Sequence, residues 1–235
     1  LPLKNPVRPK RCQPIANDKG LIGLMTPPPH PAVILAGGQS RRMGDLDKST
    51  CTLGGVPLVR VVLDRLLPQC GAVAINTANP AHDALGLPVL PDVVDGGLGP
   101  LAGVLTAMEW AATRGQDWVL TVATDTPFFP ETLVGDLTAL ADTTAPVLAA
   151  SQGADGDARL HPVFGLWPVA LMEGLRTDVE TGARRIGRWA SDRGARRVTY
   201  AFDTVDPFFN INTPEDLTRA EALYASDIPA PRLIT

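Results

Sequence analysis

The sequence has few cysteines, no long hydrophobic run and no excess of positive charge. Its three cysteines, Cys12, Cys51 and Cys70, form no C-x-x-C pair and no zinc-ligand spacing, so we expect neither a disulfide framework nor a structural zinc site. The longest apolar stretches, such as residues 33–36, have the length of a strand and are too short to cross a membrane. These absences favour a protein of the reducing cytoplasm that has no membrane partner.

Acidic residues outnumber basic ones, because 25 Asp and Glu stand against 21 Lys and Arg, which gives a formal net charge of −4. Proteins that bind nucleic acids usually present a strongly basic face, so this balance argues against a nucleic-acid partner. A polyanionic small molecule would have to be bound by local basic residues together with a metal ion, since the overall electrostatic field does not attract it.

The chain divides by composition into an arm, one domain and a short tail. Residues 1–31 contain eight prolines and five Lys or Arg with one acidic residue. We interpret them as a flexible N-terminal arm, or as added sequence upstream of a natural start at Met25. The remaining length suits one domain, predicted over residues 32–225. Residues 226–235, with Pro229 and Pro231, are predicted to form a loose C-terminal tail.

Short β-rich apolar runs alternate with helical patterns of period near 3.6 throughout this domain. Strands are predicted at residues 32–36, 72–76, 89–90, 118–123, 146–150, 163–167 and 197–201. Helices are predicted at residues 57–67, 101–113, 130–141, 169–177, 181–193 and 214–224. This alternation predicts a single-domain, three-layer α/β/α sandwich with a mainly parallel, mixed central sheet and a Rossmann-like nucleotide-binding half. Such sheets bind ligands beyond the carboxyl ends of their strands, so functional residues are expected there.

The loop after the first predicted strand carries the strongest functional signal, a run from Leu35 to Lys48. Gly37 and Gly38 allow the backbone to approach a phosphate chain and to present N–H groups to it. Arg42 can bind phosphate oxygens through its guanidinium fork, and Lys48 adds a point charge. The spacing fits neither the Walker pattern G-x-x-x-x-G-K-[ST] nor the dinucleotide pattern G-x-G-x-x-G. We interpret the run as a triphosphate cradle; the alternative is a glycine-rich turn with solvated arginines.

A second signal lies after the strand predicted over residues 118–123, where Asp125 is followed by Thr126 and Pro127. A carboxylate at the mouth of a buried strand is well placed to hold Mg²⁺, which commonly takes one or two carboxylates and bridges substrate phosphates. Asp125 is therefore the predicted metal ligand; the alternative is a turn residue that caps the next helix. The glycine-rich run at residues 96–103 either delivers N–H groups to an anion or forms a tight turn.

Polar residues at other predicted strand ends are weaker signals. Asn76 ends the second strand and Asp92 follows the third, where an amide or a carboxylate could pair with the N1–H and amino groups of guanine. Asn210 and Asn212 flank the start of the last helix, and all four residues could instead serve only as turn formers or caps. His161 stands alone in an extended stretch and is interpreted as structural, because the sequence shows no Ser-His-Asp or Cys-His set for covalent catalysis.

Four runs occur in the order Leu-Ala-Gly-Gly-x-Ser-x-Arg-Met-Gly-x-x-Asp-Lys, Gly-Pro-Leu-Ala-Gly, Asp-Thr-Pro and Phe-Asn-Ile-Asn-Thr-Pro-Glu-Asp-Leu. Together they resemble the motifs of the molybdenum cofactor guanylyltransferases, the MobA family, over about residues 32–225. The resemblance implies a Mg²⁺-dependent nucleotidyltransferase. It would transfer GMP from GTP to the terminal phosphate of molybdopterin, and so form the guanine dinucleotide cofactor and pyrophosphate. Transient contact with cofactor-inserting or acceptor proteins would follow.

The resemblance also implies roles for individual residues. Lys48, Arg42 and Asp125 would be catalytic, and Asp125 would hold the metal. The nucleotide would be bound by Leu35, Ala36, Gly37, Gly38, Arg42, Lys48, Asn76, Asp92 and Asp125. Asn210 and Asn212 would face the pterin. Asp45 departs from the small or neutral residue expected at its place, and a carboxylate about 6 Å from the triphosphate would oppose nucleotide binding by roughly 2–3 kcal/mol.

Three alternatives stay open. The first is a cytidylyltransferase acting on the same cofactor, and the choice of base would rest on Asn76 and Asp92. The second is a guanylyltransferase for another phosphorylated acceptor, or a nucleotidyltransferase for a sugar phosphate, although the Gly-x-Gly-Thr-Arg loop usual in enzymes for sugar phosphates is absent from the sequence. The third is a non-catalytic protein that binds the nucleotide or the cofactor; such a protein could lose Lys48 or Asp125 freely, and both are present.

Overall fold

The computed structural model describes residues 30–37, 51–79, 85–94, 99–142, 144–226 and 230–234. Within these ranges, eight strands form one sheet and two short strands form a separate hairpin. In chain order the strands are β1 (Pro31–Leu35), β2 (Thr52–Leu53), β3 (Val56–Pro57), β4 (Ala72–Asn76), β5 (Val89–Leu90), β6 (Trp118–Ala123), β7 (Val147–Gln152), β8 (Ala158–Pro168), β9 (Arg196–Ala201) and β10 (Arg232–Ile234).

The sheet has the strand order β10-β9-β7-β8-β6-β1-β4-β5, and the hairpin joins β2 to β3. Pairing is parallel between β1 and β4, β1 and β6, β4 and β5, and β7 and β9. Strand β8 runs antiparallel to both of its neighbours, and β10 runs antiparallel to β9. The predicted mixed and mainly parallel sheet is confirmed. The carboxyl ends of β4, β1 and β6 therefore lie side by side at one edge of the sheet.

Six α-helices lie in the described ranges, and they cover both faces of the sheet. They are α1 (Leu58–Leu66), α2 (Pro100–Thr113), α3 (Leu133–Ala139), α4 (Met172–Glu180), α5 (Ile186–Ser191) and α6 (Pro214–Tyr224). Alternate residues of the buried strand β1 face opposite layers, because side chains along a strand alternate. Ala32 and Ile34 pack in the cluster that contains α1 and α3. Val33 and Leu35 pack with α2, α4 and α5, which confirms the predicted three-layer sandwich.

Strand β8 is longer than the sequence predicted, because it continues through a proline. The prediction began the strand at Val163, but the strand starts at Ala158 and contains Pro162. The pairing with β7 jumps from Leu148–Gly165 to Ala149–His161, so residues 162–164 have no partner in β7. Such a bulge accommodates a residue that has no N–H to donate. It also separates the pairing of residues 158–161 with β7 from the pairing of residues 165–168 with β6 and β7.

Two predicted helices have different bounds in the structure. The helix predicted over residues 169–177 begins with a 3₁₀ turn at Val169–Leu171 and continues as α4 to Glu180. The helix predicted over residues 181–193 is shorter, because α5 covers only Ile186–Ser191. Gly182 adopts a φ of 111° in the connection between them, a backbone conformation that a helix does not contain.

The loose tail predicted from residue 226 is wrong for Arg232–Ile234. These three residues add the edge strand β10 to β9, although all three side chains are exposed. Backbone hydrogen bonds to the free edge of β9 explain a strand that buries no side chain. The predicted arm is represented in the structure only by His30 and Pro31, and the rest of it lies outside the described residues. Across the described part of the chain, none of the helices has the length and apolar character needed to cross a membrane.

Candidate functional site

The first predicted phosphate-binding residues lie at the carboxyl end of β1. The Ala36 N–H donates to the Asn76 carbonyl at 2.9 Å, and the Thr124 N–H donates to the Leu35 carbonyl at 3.4 Å. These bonds continue the parallel pairing of β1 with both of its neighbours past the strand ends. Gly37 follows and is exposed, so the chain leaves the sheet at the edge where ligands of such folds bind. The remaining predicted cradle residues, Gly38, Arg42, Asp45 and Lys48, lie outside the described residues.

The structure brings Asn76 and Asp92 together at this edge. The Asn76 side chain is buried, with 3% of its surface exposed, and its amide nitrogen donates to Asp92 Oδ1 at 2.9 Å. The same nitrogen donates to the Leu90 carbonyl at 3.0 Å, so both of its hydrogens are used. The amide is thereby fixed in orientation, while Asp92 itself is exposed. Asn76 acts here as a support for Asp92, and the carboxylate is the group of the two that a ligand can reach.

Helix α2 lies very close to this pair because of a glycine. A Cβ atom on Gly103 would lie 2.7 Å from Asn76 Oδ1 and 3.1 Å from Leu35 Cδ2, distances shorter than a normal contact. Gly99 precedes the helix with a φ of 79°, and Pro100 occupies the first helical position. The described part of the glycine-rich run, residues 99–103, thus forms a turn and a close helix contact. Residues 96–98 lie outside the described residues, so their predicted role as an anion site stays a prediction.

Asp125 lies just beyond the carboxyl end of β6, the strand next to β1. Its side chain is half-buried, and the Thr126 hydroxyl donates to its Oδ1 at 3.3 Å. Its carbonyl accepts the Ile211 N–H at 2.8 Å. This backbone bond joins the segment that contains Asn210 and Asn212 to the predicted metal ligand, although more than eighty residues separate them in sequence. Both asparagines are exposed at this junction.

A clamp of two side chains, one from α1 and one from the 3₁₀ turn that follows it, holds the rest of the loop that begins at Asp125. Residues 126–130 are buried. The Arg65 Nε donates to the Phe129 carbonyl. Gln69 donates to the Pro130 carbonyl at 3.3 Å and accepts the Val134 N–H at 3.1 Å. The sequence prediction missed Arg65 and Gln69, and their only signal is that polar residues interrupt the apolar pattern at the end of α1.

The segment that precedes α6 is also fixed by its own hydrogen bonds. Thr213 caps the helix, since its hydroxyl accepts the Asp216 N–H while the Asp216 carboxylate accepts the Thr213 N–H. The same carboxylate accepts the Asn212 N–H at 3.0 Å. Ile211 is buried at 1% exposure between the two exposed asparagines. The segment therefore presents alternate side chains outward from a rigid backbone.

Sequence reasoning also missed a polar cluster around His161. Its Nε2 lies 2.7 Å from Ser151 Oγ, and the Ser151 hydroxyl donates to Asp206 Oδ2 at 3.0 Å. Burial lowers the pKa of His161 to about 4, and this outweighs the raising effect of the Asp206 carboxylate. The serine lies between the other two residues, whereas in a catalytic triad the histidine does. This order does not activate a nucleophile and agrees with the structural interpretation of His161.

The described site combines three features at one edge of a parallel sheet. They are a buried strand that leads into a glycine, a neighbouring strand end with a half-buried carboxylate, and an ordered amide–carboxylate pair on the other side. Ligand sites of doubly wound α/β proteins lie at such an edge. The fold and the site therefore define a doubly wound α/β domain whose candidate ligand site lies at this edge of the sheet.

Comparison with known sequences places the chain in a particular family. The profile of a family described as MobA-like NTP transferase domain matches residues 32–199, which is more than half of the chain. The chain belongs to this family, as its motifs predicted. It is 42% identical over 206 residues to a molybdenum cofactor guanylyltransferase of Nitrobacter hamburgensis, and this match covers 85% of the chain and 97% of that protein.

Solved structures with the same fold are more distant in sequence. Molybdopterin-guanine dinucleotide biosynthesis protein A from Archaeoglobus fulgidus aligns with a TM-score of 0.59 at 22% identity, over 82% of this chain and 97% of that one. A 4-diphosphocytidyl-2C-methyl-D-erythritol synthase from Anaerococcus prevotii aligns with a TM-score of 0.63 at 12% identity, over 83% of this chain and 95% of that one. These two likenesses confirm the fold and leave the nucleotide base undecided.

Proposed function

We propose that this protein transfers GMP from GTP to the terminal phosphate of molybdopterin, and so forms the guanine dinucleotide cofactor and pyrophosphate. The observation that carries the proposal is the 2.8 Å hydrogen bond between the Ile211 N–H and the Asp125 carbonyl. It joins the carboxylate at the nucleotide end of the sheet to the Asn210–Asn212 pair proposed to face the pterin. The names of the relatives over nearly the whole domain support this choice of substrates.

The nucleotide would bind beyond β1, between the strand ends of β4 and β6. Leu35, Ala36 and Gly37 would contact it through the backbone, and Gly38, Arg42 and Lys48 would follow it along the triphosphate. Asp92, held by the Asn76 amide at 2.9 Å, is an acceptor that suits the N1–H and amino groups of guanine. Cytosine presents a ring nitrogen that accepts instead of donating, so this carboxylate favours the purine.

An oxygen of the molybdopterin phosphate would attack the α-phosphorus of GTP in line with the bond to the β-phosphate. That bond breaks, its electron pair stays on the departing oxygen, and pyrophosphate leaves. Lys48 and Arg42 would stabilise the charge that develops on pyrophosphate. The attacking phosphate is already ionised at neutral pH, so no general base is needed.

Asp125 is the residue proposed to hold Mg²⁺, because a half-buried carboxylate oxygen is a ligand that this ion prefers. Among the described residues no three His, Cys, Asp or Glu side chains are grouped for a metal, so substrate phosphates and water would supply the other ligands. When bound, the ion would neutralise part of the triphosphate charge. We place the protein in the cytoplasm and expect transient contact with cofactor-inserting or acceptor proteins.

The substrates can be tested by pyrophosphate release from the purified protein with Mg²⁺, molybdenum-loaded molybdopterin and either GTP or CTP. We expect release with GTP, together with a product whose mass equals the cofactor plus GMP. Release with CTP alone would contradict the base assignment and favour the cytidylyltransferase. GTP binding without release would favour another phosphorylated acceptor or a non-catalytic binding protein.

Asp125→Asn tests the carboxylate without changing its size. We expect turnover to fall by about a hundredfold or more, the scale of a lost electrostatic group at a transition state. Asp117→Asn is the matched control, because Asp117 is exposed just before the opposite end of β6 and should leave turnover unchanged. Circular dichroism should show that both variants are folded. Near-normal turnover of Asp125→Asn would remove this residue from the metal-binding role.

A further inference from the structure

Asn210 and Asn212 mark the side of the proposed site that would face the pterin, which we call the acceptor side. Three polar residues from separate elements meet beyond it. Ser151 lies near the carboxyl end of β7, His161 lies in β8, and Asp206 follows β9. We refer to these three residues as the Ser151 cluster. Ser151 is 1% exposed, and its Oγ lies 2.7 Å from His161 Nε2 and 3.0 Å from Asp206 Oδ2. The cluster is not used by the transfer chemistry described above.

The proton positions in the cluster follow from the hydroxyl. A serine hydroxyl has one hydrogen, and here it is donated to the Asp206 carboxylate. His161 Nε2 must then donate to Ser151 Oγ, which fixes the histidine in one tautomer. Burial lowers the pKa of His161 to about 4, so the ring is neutral at physiological pH. His161 Nε2, Ser151 Oγ and Asp206 Oδ2 are therefore all engaged in hydrogen bonds within the cluster.

The cluster also fixes the backbone that follows Asp206. Asp206 Oδ1 accepts the Phe208 N–H at 2.8 Å, and the Asp206 carbonyl accepts the Phe209 N–H at 3.0 Å. The Phe208 ring stacks on the His161 ring, with 4.5 Å between centroids and 21° between planes. Ile211, three residues after Phe208 in the chain, donates its N–H to the Asp125 carbonyl. Contacts thus fix residues 206–209 against the cluster, and the chain runs on from there to Ile211, which binds the loop of the proposed metal ligand.

The location of the cluster indicates which substrate it affects. Its strands β7 and β8 lie on the side of β6 away from β1 and β4, where the proposed nucleotide contacts are. The segment that it holds carries Asn210 and Asn212, the exposed residues next to Asp125. A disturbance of the cluster should therefore move the acceptor side and leave the nucleotide side in place.

We propose that Ser151, His161 and Asp206 are positioning residues that hold segment 206–212 against Asp125, and so set the affinity for the phosphorylated pterin acceptor. The identity of that acceptor rests on the function proposed above; the mechanical link does not. None of the three residues touches the reacting atoms. Ser151 is fully engaged and buried, so the cluster contributes geometry and no covalent step.

Two substitutions of His161 separate its polar role from its aromatic one. His161→Gln keeps an N–H donor near the position of Nε2, whereas His161→Phe keeps the ring that stacks on Phe208 and removes the donor. Amide hydrogen exchange, measured without substrate, reports the link directly. We expect the Ile211 amide to exchange about tenfold faster in His161→Phe and at nearly the wild-type rate in His161→Gln. Equal protection of Ile211 in all three proteins would overturn the proposal.

Steady-state kinetics with GTP and molybdopterin then test the consequence. We expect Ser151→Ala and His161→Phe to raise the KM for molybdopterin about tenfold, the factor that corresponds to about 1.4 kcal/mol. The KM for GTP and the value of kcat should change less than twofold. Ser191→Ala, at an exposed position at the end of α5, is the matched control and should change neither KM. A rise in both KM values, or a fall in kcat alone, would contradict a positioning role confined to the acceptor.

A double-mutant cycle distinguishes positioning from general loss of stability. If the cluster acts through segment 206–212, the effects of Ser151→Ala and Asn212→Ala on the KM for molybdopterin should be smaller together than the product of the two single effects. Independent effects would overturn the proposal. If the wild-type protein turns over no molybdopterin at all, the proposed function fails, and the exchange rate of Ile211 still decides whether the positioning link exists.

Discussion

At the scale of single residues, Gly103 determines how closely α2 approaches the carboxyl ends of β1 and β4. Asn76 is unable to move away freely, because its amide nitrogen is bound to Leu90 and Asp92. Leu35 is likewise buried against α2. A side chain at residue 103 would therefore displace Asn76 and Leu35, two residues proposed to contact the nucleotide.

Gly103→Ala should raise the KM for GTP about tenfold, because the new Cβ would lie 2.7 Å from Asn76 Oδ1 and would push the Asn76–Asp92 pair out of place. Overpacking costs about 1–3 kcal/mol, and the better helix propensity of alanine offsets up to about 1 kcal/mol of that. Gly135→Ala in α3 is the control, because a Cβ there meets nothing within 4 Å and should stabilise the protein. An unchanged KM for GTP would show that Asn76 does not order the base site.

Single residues also mark the limit of what the sequence could predict about the site. Asp125 was predicted from its place after a buried strand, and the structure has it there. The contact between Asn76 and Asp92 was not predictable in detail, since it depends on the pairing of β4 with β5. Ser151, His161 and Asp206 are up to 55 residues apart, and no spacing in the sequence relates them. Such contacts arise only from the order and register of strands.

At the scale of elements, local signals decided which boundaries were predicted well. Strands β4, β5 and β6 have the predicted bounds, because each is a short apolar run. Helix α6 also has its predicted bounds, since Thr213 and Pro214 mark its start. The prediction for β8 began only at Val163, because the sequence does not reveal the bulge that admits Pro162 into the strand.

The end of α1 shows how one element fixes a functional loop in another layer. Gln69 is buried in the 3₁₀ turn that follows α1, and its side chain accepts the Val134 N–H and donates to the Pro130 carbonyl. Arg65, one turn earlier, binds the neighbouring Phe129 carbonyl. Arg65 and Gln69 therefore hold the loop between β6 and α3 at the Phe129 and Pro130 carbonyls. The Ile211 N–H holds the same loop at the Asp125 carbonyl.

Gln69→Ala should lower the free energy of unfolding by about 2 kcal/mol, because it leaves the buried Val134 N–H without its acceptor. The Pro130 carbonyl loses one of two donors and keeps the Leu133 N–H. Chemical denaturation of both proteins measures this difference. Gln116→Ala is the matched control, since Gln116 lies just before the amino end of β6, at the opposite end of that strand from the β6–α3 loop. Equal losses in the two variants would contradict the clamp.

At the scale of the whole molecule, the sheet separates two kinds of contact. Strands β5, β4 and β1 carry the proposed nucleotide contacts, β6 carries Asp125, and β8, β7 and β9 carry the cluster that holds the acceptor side. The fold class was predictable because alternating strands and helices leave few arrangements for their apolar faces. The antiparallel direction of β8 was not predictable, since an apolar run has the same pattern whichever way its strand runs. That antiparallel pairing places His161 beside Ser151.

This arrangement makes the stability of the whole molecule depend on pH through His161. Burial lowers the pKa of His161 to about 4, whereas the unfolded chain should titrate near 6.5. Between these values the unfolded state binds the proton more readily, so stability is full above about pH 6.5 and is lost as pH falls towards 4. The loss from this one residue should be about 2 kcal/mol at pH 5.

Urea unfolding of the wild type and of His161→Gln at pH 7 and pH 5 isolates that contribution. The pKa of His30 is also lowered by burial, against the raising effect of Asp117, but His30 is present in both proteins and contributes equally. We expect the wild type to lose about 2 kcal/mol more than the variant between the two pH values. Equal losses would mean that the folded protein accepts a proton on His161 without strain. The lowered pKa of His161 would then be wrong. The hydrogen bonds of the cluster would stand, because they need only the Nε2–H, which the protonated ring also carries.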